Sequence, residues 1–190
     1  MTQLPARPPA DGGPAPRPVA LVGMMGVGKT AVGRRLACHL DRPFVDLDAE
    51  LVEREGRAIP EIFATDGEDR FRALESELLD ESLDRADAPV VSTGGGVVKS
   101  AINREWLRNR AVTVWLRGDA ATIVARVGPT AARPLLQPAE GESMVDLVER
   151  LMAERQDLYA EVAVLTMDTD HGSAHHLAGW LSDRLATALT

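Results

Sequence analysis

The sequence predicts an α/β fold in which a five-stranded parallel sheet is covered by helices on both faces. Five short apolar runs alternate with longer segments of helical periodicity along the chain. Parallel strands need crossover connections, and helices in those connections bury both faces of the sheet. Glycine-rich or acidic segments follow the first three strands, at the end of such a sheet where ligands bind. We therefore expect the functional residues just beyond the strands.

In the first half of the chain, turn and capping residues separate the apolar segments. Strands are predicted at 19–22, 44–47 and 89–93, and helices at 31–40, 49–55, from Pro60 onward and at 68–85. Gly23 ends the first strand, Asp48 is predicted to cap the second helix, and Asp66-Gly67 separates the third helix from the fourth. The fourth helix carries Phe71 and Leu74 on one apolar face.

The second half continues the alternation and adds one irregular excursion. Strands are predicted at 112–116 and 162–167, and helices at 101–109, 119–127, 143–160 and 174–188. Residues 128–141 contain three prolines and no helical pattern, which predicts a mobile lid. Residues 1–17 are dominated by Pro, Ala and Gly, and we expect them to form a disordered tail before one domain at 18–190.

Composition excludes several classes of protein. The 190 residues include 21 basic and 29 acidic side chains, a net charge of −8 that argues against binding to duplex nucleic acid. The single cysteine, Cys38, excludes a disulfide framework, and no apolar run approaches the length of a membrane span. We expect a soluble, cytoplasmic monomer without nucleic-acid or membrane partners.

Lysine is used unusually sparingly. Only Lys29 and Lys99 among the 21 basic residues are lysines, and genomic base composition is the simplest general cause. In such a chain, a retained lysine can mark a position where a planar guanidinium does not replace a compact ammonium.

One motif predicts a nucleotide site. Residues 23–30, GMMGVGKT, fit the pattern G-x-x-x-x-G-K-[ST] between a strand and a helix. The glycines let backbone N–H groups surround phosphates, while the lysine reaches the β- and γ-phosphates and the hydroxyl ligates Mg²⁺. The predicted ATP-binding residues of this loop are Gly26, Val27, Gly28, Lys29, Thr30 and Ala31.

The type of phosphate-loop protein follows from what accompanies the loop. A base-reading Asn-Lys-x-Asp motif of a GTPase does not occur, and the third strand ends in glycines instead of the acid that motor ATPases carry. Small size and a proline-containing excursion before a late helix favour a kinase that closes a lid over a small acceptor.

Four further features are predicted near the acceptor. Asp46 and Asp48 would face one side of an extended strand, one toward Mg²⁺ and the other accepting a proton. Arg72 and Glu75 are three residues apart on one helix and can pair, though an ordinary surface ion pair has the same spacing. The remaining candidates are the glycines Gly94, Gly95 and Gly96, Arg133 in the excursion, and Arg155 at the end of a long helix.

Taken together, these segments resemble the shikimate kinase family. The matching motifs are GMMGVGKT, the D-x-D after the second strand, IFATDGEDRFRALE, the triple glycine, RPLL and R-x-x-L-Y-x-E-x-A, over roughly residues 18–168. The resemblance implies a nucleoside-monophosphate-kinase-like sheet in strand order 2-3-1-4-5. It also implies transfer of phosphate from ATP to the shikimate 3-hydroxyl, a step toward chorismate and the aromatic amino acids.

The resemblance also implies residue roles. Lys29 would contact the transferred phosphoryl group, Thr30 and Asp46 would hold one Mg²⁺ ion, and Asp48 would bind the shikimate hydroxyls and act as base. The implied carboxylate ligands are Arg72 and Arg155, the implied ring contacts are Gly94, Gly95 and Gly96, and Arg126 and Arg133 are implied to contact adenine and phosphates.

Asp157 departs from the family pattern, which often has proline there, and it places an acid near Arg155.

Two alternatives stay open on sequence: a phosphate-loop kinase for another acid such as gluconate, and a nucleotide-binding module that has lost catalysis. The carboxylate-binding arginines argue against the first. The intact Lys29, Thr30, Asp48 and Arg133 argue against the second.

Overall fold

The computed structural model describes residues 16–127 and 136–188. The predicted tail up to residue 15, most of the predicted lid and Arg133 lie outside the described residues. Within those ranges, no helix is long and apolar enough to cross a membrane.

Five parallel strands form one sheet, as the sequence predicts. The strands are β1 Val19–Val22, β2 Phe44–Asp46, β3 Val90–Ser92, β4 Val112–Arg117 and β5 Leu165–Asp168. Their order is β2-β3-β1-β4-β5, so the order implied by the family resemblance is confirmed. Val19 at the start of β1 pairs with Val90 of β3 on one side and with Val112 of β4 on the other.

Eight helices are described, and a short 3₁₀ turn at Val97–Lys99 follows β3. The helices are α1 Lys29–Leu40, α2 Leu47–Glu55, α3 Ile59–Leu83, α4 Ala101–Arg110, α5 Ala120–Val127, α6 Met144–Ala153, α7 Gln156–Val162 and α8 Ala174–Ala188.

The hydrophobic core has two layers because successive strand residues point to opposite faces of the sheet. Leu21 packs in the layer that contains residues of α1 and α8. Ala20 and Val22 pack in the other layer, which contains residues of α2 to α7. Both faces are therefore covered, and the carboxyl ends of the strands remain for ligands.

Four predictions differ from the structure. The helix predicted at 143–160 is interrupted at Arg155, whose φ of −121° and ψ of −16° are not helical, so it becomes α6 and α7. Asp48 is not the cap of α2 but lies in its first turn, since the helix begins at Leu47. The two helices predicted on either side of Asp66-Gly67 form one long element with a break at Gly67, where φ is 84°. The last strand begins at Leu165, because Val162 belongs to α7.

Candidate active site

The phosphate loop lies between β1 and α1 and uses glycine for its backbone shape. Gly23, Gly26 and Gly28 have φ values of 139°, 77° and 106°, a region that other residues rarely adopt. A Cβ atom on Gly23 would lie 2.2 Å from the carbonyl oxygen of Leu116. The loop can therefore pack against the end of β4 only with glycine at this position.

Lys29 closes the phosphate loop. Its side chain is buried, with 7% of the residue exposed, and its ammonium donates to the carbonyl oxygens of Gly23 at 2.8 Å and Met24 at 2.9 Å. The ammonium is thus held over the loop at the start of α1, where the helix dipole also favours an anion. This arrangement is suited to a polyphosphate.

Thr30 and Asp46 place two oxygen-bearing side chains beside the loop. The Thr30 hydroxyl donates to the Asp46 carboxylate over 2.6 Å, joining the first turn of α1 to the end of β2. The described residues contain no group of three or more His, Cys, Asp or Glu side chains that could hold a metal. Mg²⁺ suits this pair, because it is often bound through one or two protein oxygens together with substrate phosphates and water.

A cleft of about 320 Å³ opens above the phosphate loop. Gly26, Gly28, Lys29, Thr30 and Ala31 form one side of it, and Asp48, Ser92, Thr93, Gly95 and Arg126 contribute elsewhere to its lining. The structure therefore brings together residues predicted from four separate segments of the chain. Val27, the remaining predicted loop residue, is buried and lines a second cleft.

That second cleft, of about 210 Å³, lies beside α1 and α8. Arg126 and Thr169 line it, and the Arg126 guanidinium donates to the Thr169 carbonyl at 2.8 Å and hydroxyl at 3.1 Å. Thr169 is 1% exposed and was not among the predicted site residues. Its position directly after β5 is the sequence signal that could have found it.

Arg72 and Glu75 form a buried ion pair, not the surface pair that their spacing also allows. Their side chains are 18% and 2% exposed, and Arg72 Nη1 donates to Glu75 Oε2 over 2.7 Å. Burial raises the pKa of Glu75, although Arg72 opposes this shift. Burial alone would lower the pKa of Arg72, but Glu75 and Glu68 outweigh it and raise that pKa.

The triple glycine allows three close approaches. A Cβ on Gly94 would lie 2.1 Å from Glu75 Oε1, and one on Gly96 would lie 2.4 Å from Arg72 Nη1. A Cβ on Gly95 would lie 3.1 Å from the backbone nitrogen of Met25 in the phosphate loop. The glycines therefore let the ion pair and the phosphate loop pack directly against the same turn.

Arg155 is a buried cation in the break between α6 and α7. Only 3% of the residue is exposed, and Nη1 reaches the carbonyl oxygen of Gly95 at 3.4 Å. Its Nε–H has no acceptor, and it forms no ion pair with any residue of 16–127 or 136–188. A buried charge without a counterion is costly, so an anionic ligand would stabilise this site.

Tyr159, one turn after Arg155, supports the same glycine turn and was not predicted as a site residue. Its hydroxyl donates to the carbonyl oxygen of Gly95, and its ring stacks on Trp115 with centroids 5.8 Å apart. Burial raises the pKa of Tyr159 to about 12, so the hydroxyl keeps its proton at neutral pH. The sequence signal that could have identified Tyr159 is its presence in the R-x-x-L-Y run.

Comparison with known proteins gives the family. A family model described as shikimate kinase matches residues 25–186. The chain belongs to the shikimate kinase family. A curated shikimate kinase of Nitrobacter winogradskyi is 44% identical over 159 residues, which are 83% of this chain and 72% of the relative.

Solved structures agree with this family. A structure described as shikimate kinase from Acinetobacter baumannii in complex with shikimate has a TM-score of 0.85 and 38% identity, covering 90% of this chain and 94% of that one. A gluconokinase from Sinorhizobium meliloti has a TM-score of 0.55 at 18% identity, covering 93% of this chain and 99% of that one. This second likeness shows a shared fold alone.

Proposed function

We propose that this protein transfers the γ-phosphoryl group of ATP to the 3-hydroxyl of shikimate, producing shikimate 3-phosphate and ADP. Membership of the shikimate kinase family supports this reaction. The observation that carries the choice of acceptor is Arg155, a buried cation with no ion-pair partner among the described residues, next to the triple glycine.

The acceptor's carboxylate is proposed to bind between Arg155 and Arg72. Arg155 reaches Gly95, and the Arg72 guanidinium packs against Gly96, so the two cations approach adjacent residues of one turn. Guanidinium groups bind carboxylates through paired hydrogen bonds. Gly94, Gly95 and Gly96 are proposed to contact the acceptor's ring, since Gly95 lines the cleft and the two arginines approach this turn.

The nucleotide is proposed to bind along the phosphate loop, from Gly26 to Ala31. Arg126 would lie beside the adenine, and Arg133, outside the described residues, would contact the phosphates. Thr30 and Asp46 would hold one Mg²⁺ ion, whose charge helps neutralise the phosphate oxygens when it is bound with ATP. Lys29, held at the mouth of the loop, would stabilise the negative charge of the transferred group.

Asp48 is proposed to position the acceptor's hydroxyls and to take the proton that the 3-hydroxyl loses as it attacks phosphorus. The carboxylate lines the cleft above the phosphate loop, and Oδ1 would be 3.2 Å from a Cβ on Gly94. It therefore lies between the proposed nucleotide and carboxylate sites. Phosphoryl transfer needs mainly positioning and charge stabilisation, which these residues provide.

The proposed reaction is a step in the synthesis of chorismate and the aromatic amino acids. We also propose that the protein acts as a cytoplasmic monomer without nucleic-acid or membrane partners. Its net charge of −8 supports the absence of a nucleic-acid partner.

The test is release of ADP in a coupled assay with ATP and Mg²⁺, run in parallel with shikimate, with gluconate and without an acceptor. We expect release that depends on shikimate. Release with gluconate instead would contradict the proposed acceptor and retain the kinase chemistry. Binding of ATP without release in any reaction would favour a nucleotide-binding module that has lost catalysis.

A further inference from the structure

The second of the two lysines has a structural context that the proposed reaction does not use. Lys99 ends the 3₁₀ turn that follows the triple glycine, and its backbone N–H donates to the carbonyl oxygen of Gly96 over 2.9 Å. Its ammonium lies 3.3 Å from Glu68 Oε1. Glu68 follows the break at Gly67, which separates it from the preceding part of α3.

One oxygen of Glu68 is shared between two cations. Glu68 Oε1 accepts from Lys99 at 3.3 Å and from both Nε and Nη2 of Arg72 at 3.2 Å. The Nε–Nη2 edge is one of those through which a guanidinium binds a carboxylate in a paired fashion. Glu68 therefore takes up hydrogen bonds of Arg72 that an incoming carboxylate could use.

Of the two described carboxylates that pair with Arg72, Glu68 is the one that can move away. Its side chain is 40% exposed, whereas that of Glu75, on the other edge of the guanidinium, is 2% exposed. Lys99 is 49% exposed, so a Glu68 side chain that leaves Arg72 can remain paired at the surface. Arg72 and Lys99 outweigh the effect of burial and lower the pKa of Glu68, which keeps it charged at neutral pH.

We propose that Lys99 is a positioning residue for acceptor binding: it draws the Glu68 carboxylate from Arg72 and leaves the guanidinium to bind the acceptor's carboxylate. This inference rests on the proposed function, in which Arg72 binds that group. Without Lys99, Arg72 is the remaining cation paired with Glu68 among the described residues, and Glu68 competes with the acceptor. Lys99 is not among the described residues that line the cleft above the phosphate loop, so we expect its effect on acceptor affinity.

The first test is Lys99→Met with shikimate and ATP varied separately. We expect the KM for shikimate to rise about three- to fivefold, the scale of one exposed ion pair, with kcat and the KM for ATP unchanged. Lys99→Arg keeps the charge, so the KM for shikimate should stay near that of the wild type. The matched control is Arg85→Met, which removes a cation from the exposed Arg85–Asp87 pair in the connection between α3 and β3 and should change neither constant.

The second test separates competition by Glu68 from simple support of Arg72. If Glu68 competes, Glu68→Gln should lower the KM for shikimate or leave it unchanged, and Lys99→Met should have no effect in that background. A KM raised by Glu68→Gln, or an unchanged KM in Lys99→Met, would overturn the inference. Both of these results would be obtained with an enzyme that still phosphorylates shikimate, so they would leave the proposed function intact. If the proposed function itself were wrong, the wild type would show no shikimate-dependent release of ADP.

Discussion

The two ends of the cleft are built in different ways. At the nucleotide end, backbone groups of one continuous loop and the neighbouring Lys29 form the site, and three glycines there have positive φ. At the acceptor end, charged side chains from α3 and from the break between α6 and α7 meet at the turn after β3. The phosphate-binding part of the nucleotide end is contiguous in sequence, whereas the acceptor end is assembled by packing of distant segments.

This difference has an energetic consequence. The Lys29 ammonium of the nucleotide end donates to two carbonyl oxygens of its own loop. At the acceptor end, Arg155 Nε and Glu75 Oε1 are buried without hydrogen-bond partners among the described residues. Such groups are costly in the free protein. We therefore expect removal of such a group to lower ligand affinity without lowering the stability of the free protein.

The largest expected effect is that of Arg155→Met, which removes the buried cation and keeps an unbranched apolar chain. Loss of one desolvated charge pair costs about 2–5 kcal/mol, so kcat/KM for shikimate should fall about thirtyfold to several-thousandfold. Binding of ATP should be nearly unchanged, and the free energy of unfolding of the ligand-free protein should not fall. Kinetics, nucleotide titration and urea unfolding measure these three quantities.

Arg108→Met is the control for that experiment, because Arg108 is an exposed arginine paired with Glu161. It should leave kcat/KM unchanged. An equal loss of ATP affinity in Arg155→Met would contradict the division of the cleft into two ends.

An intermediate effect is expected from Gly96→Ala. The added Cβ would lie 2.4–2.6 Å from three atoms of the Arg72 guanidinium, which must move to make room. Displacement of a binding group by about 1 Å can cost on the order of 100-fold in rate, so we expect kcat/KM for shikimate to fall about 10- to 100-fold. Stability should also fall, since the displaced guanidinium is the partner of the buried Glu75 carboxylate.

Gly179→Ala provides the matched glycine control. Nothing lies within 4 Å of a Cβ at this position in α8. It should leave activity unchanged and raise the free energy of unfolding by about 0.5–1 kcal/mol, because alanine favours a helix over glycine. If Gly96→Ala behaved like this control, close packing of the triple glycine against Arg72 would not matter for acceptor binding.

The smallest effect is a pH dependence at Glu75. Burial raises the pKa of this carboxyl above its usual value of 4.5, so between the unfolded and the folded pKa the folded protein retains a proton that the unfolded chain has released. Stability from this group is thus complete below the unfolded pKa and is lost as pH rises through the folded pKa. Urea unfolding of wild type and Glu75→Gln from about pH 4 to pH 8 should show the variant gaining relative stability as pH rises. A relative gain toward low pH would contradict the direction assigned to this pKa.

Much of the fold follows from local patterns. All five strands and the closing helix α8 lie where apolar runs and capping residues predict them, within a few residues at each end. The prediction fails at 143–160, because nothing in the local pattern marks Arg155 as a break. Burial of Arg155 against Gly95 is a contact between distant segments, and helical periodicity does not report such contacts.

The candidate site divides in the same way. The spacing of Arg72 and Glu75 predicts their contact, but not that it is buried with a glycine turn packed against both partners. The predicted same-side placement of Asp46 and Asp48 on a strand is wrong, because Asp48 lies in α2. Asp48 nevertheless lines the cleft, and Asp46 contacts Thr30 beside it, since α2 begins directly after β2.

By itself, the sequence determined the strand and helix order, the phosphate loop and the resemblance to the family, because these depend on residues close together along the chain. The tertiary structure decided which charges are buried, and that Glu68, Glu75, Arg72 and Arg155 lie at or beside the triple glycine. The physical reason is that burial and long-range electrostatics depend on which elements pack together. Residues 72, 95 and 155 come together only when α3 and the break between α6 and α7 pack against the turn after β3.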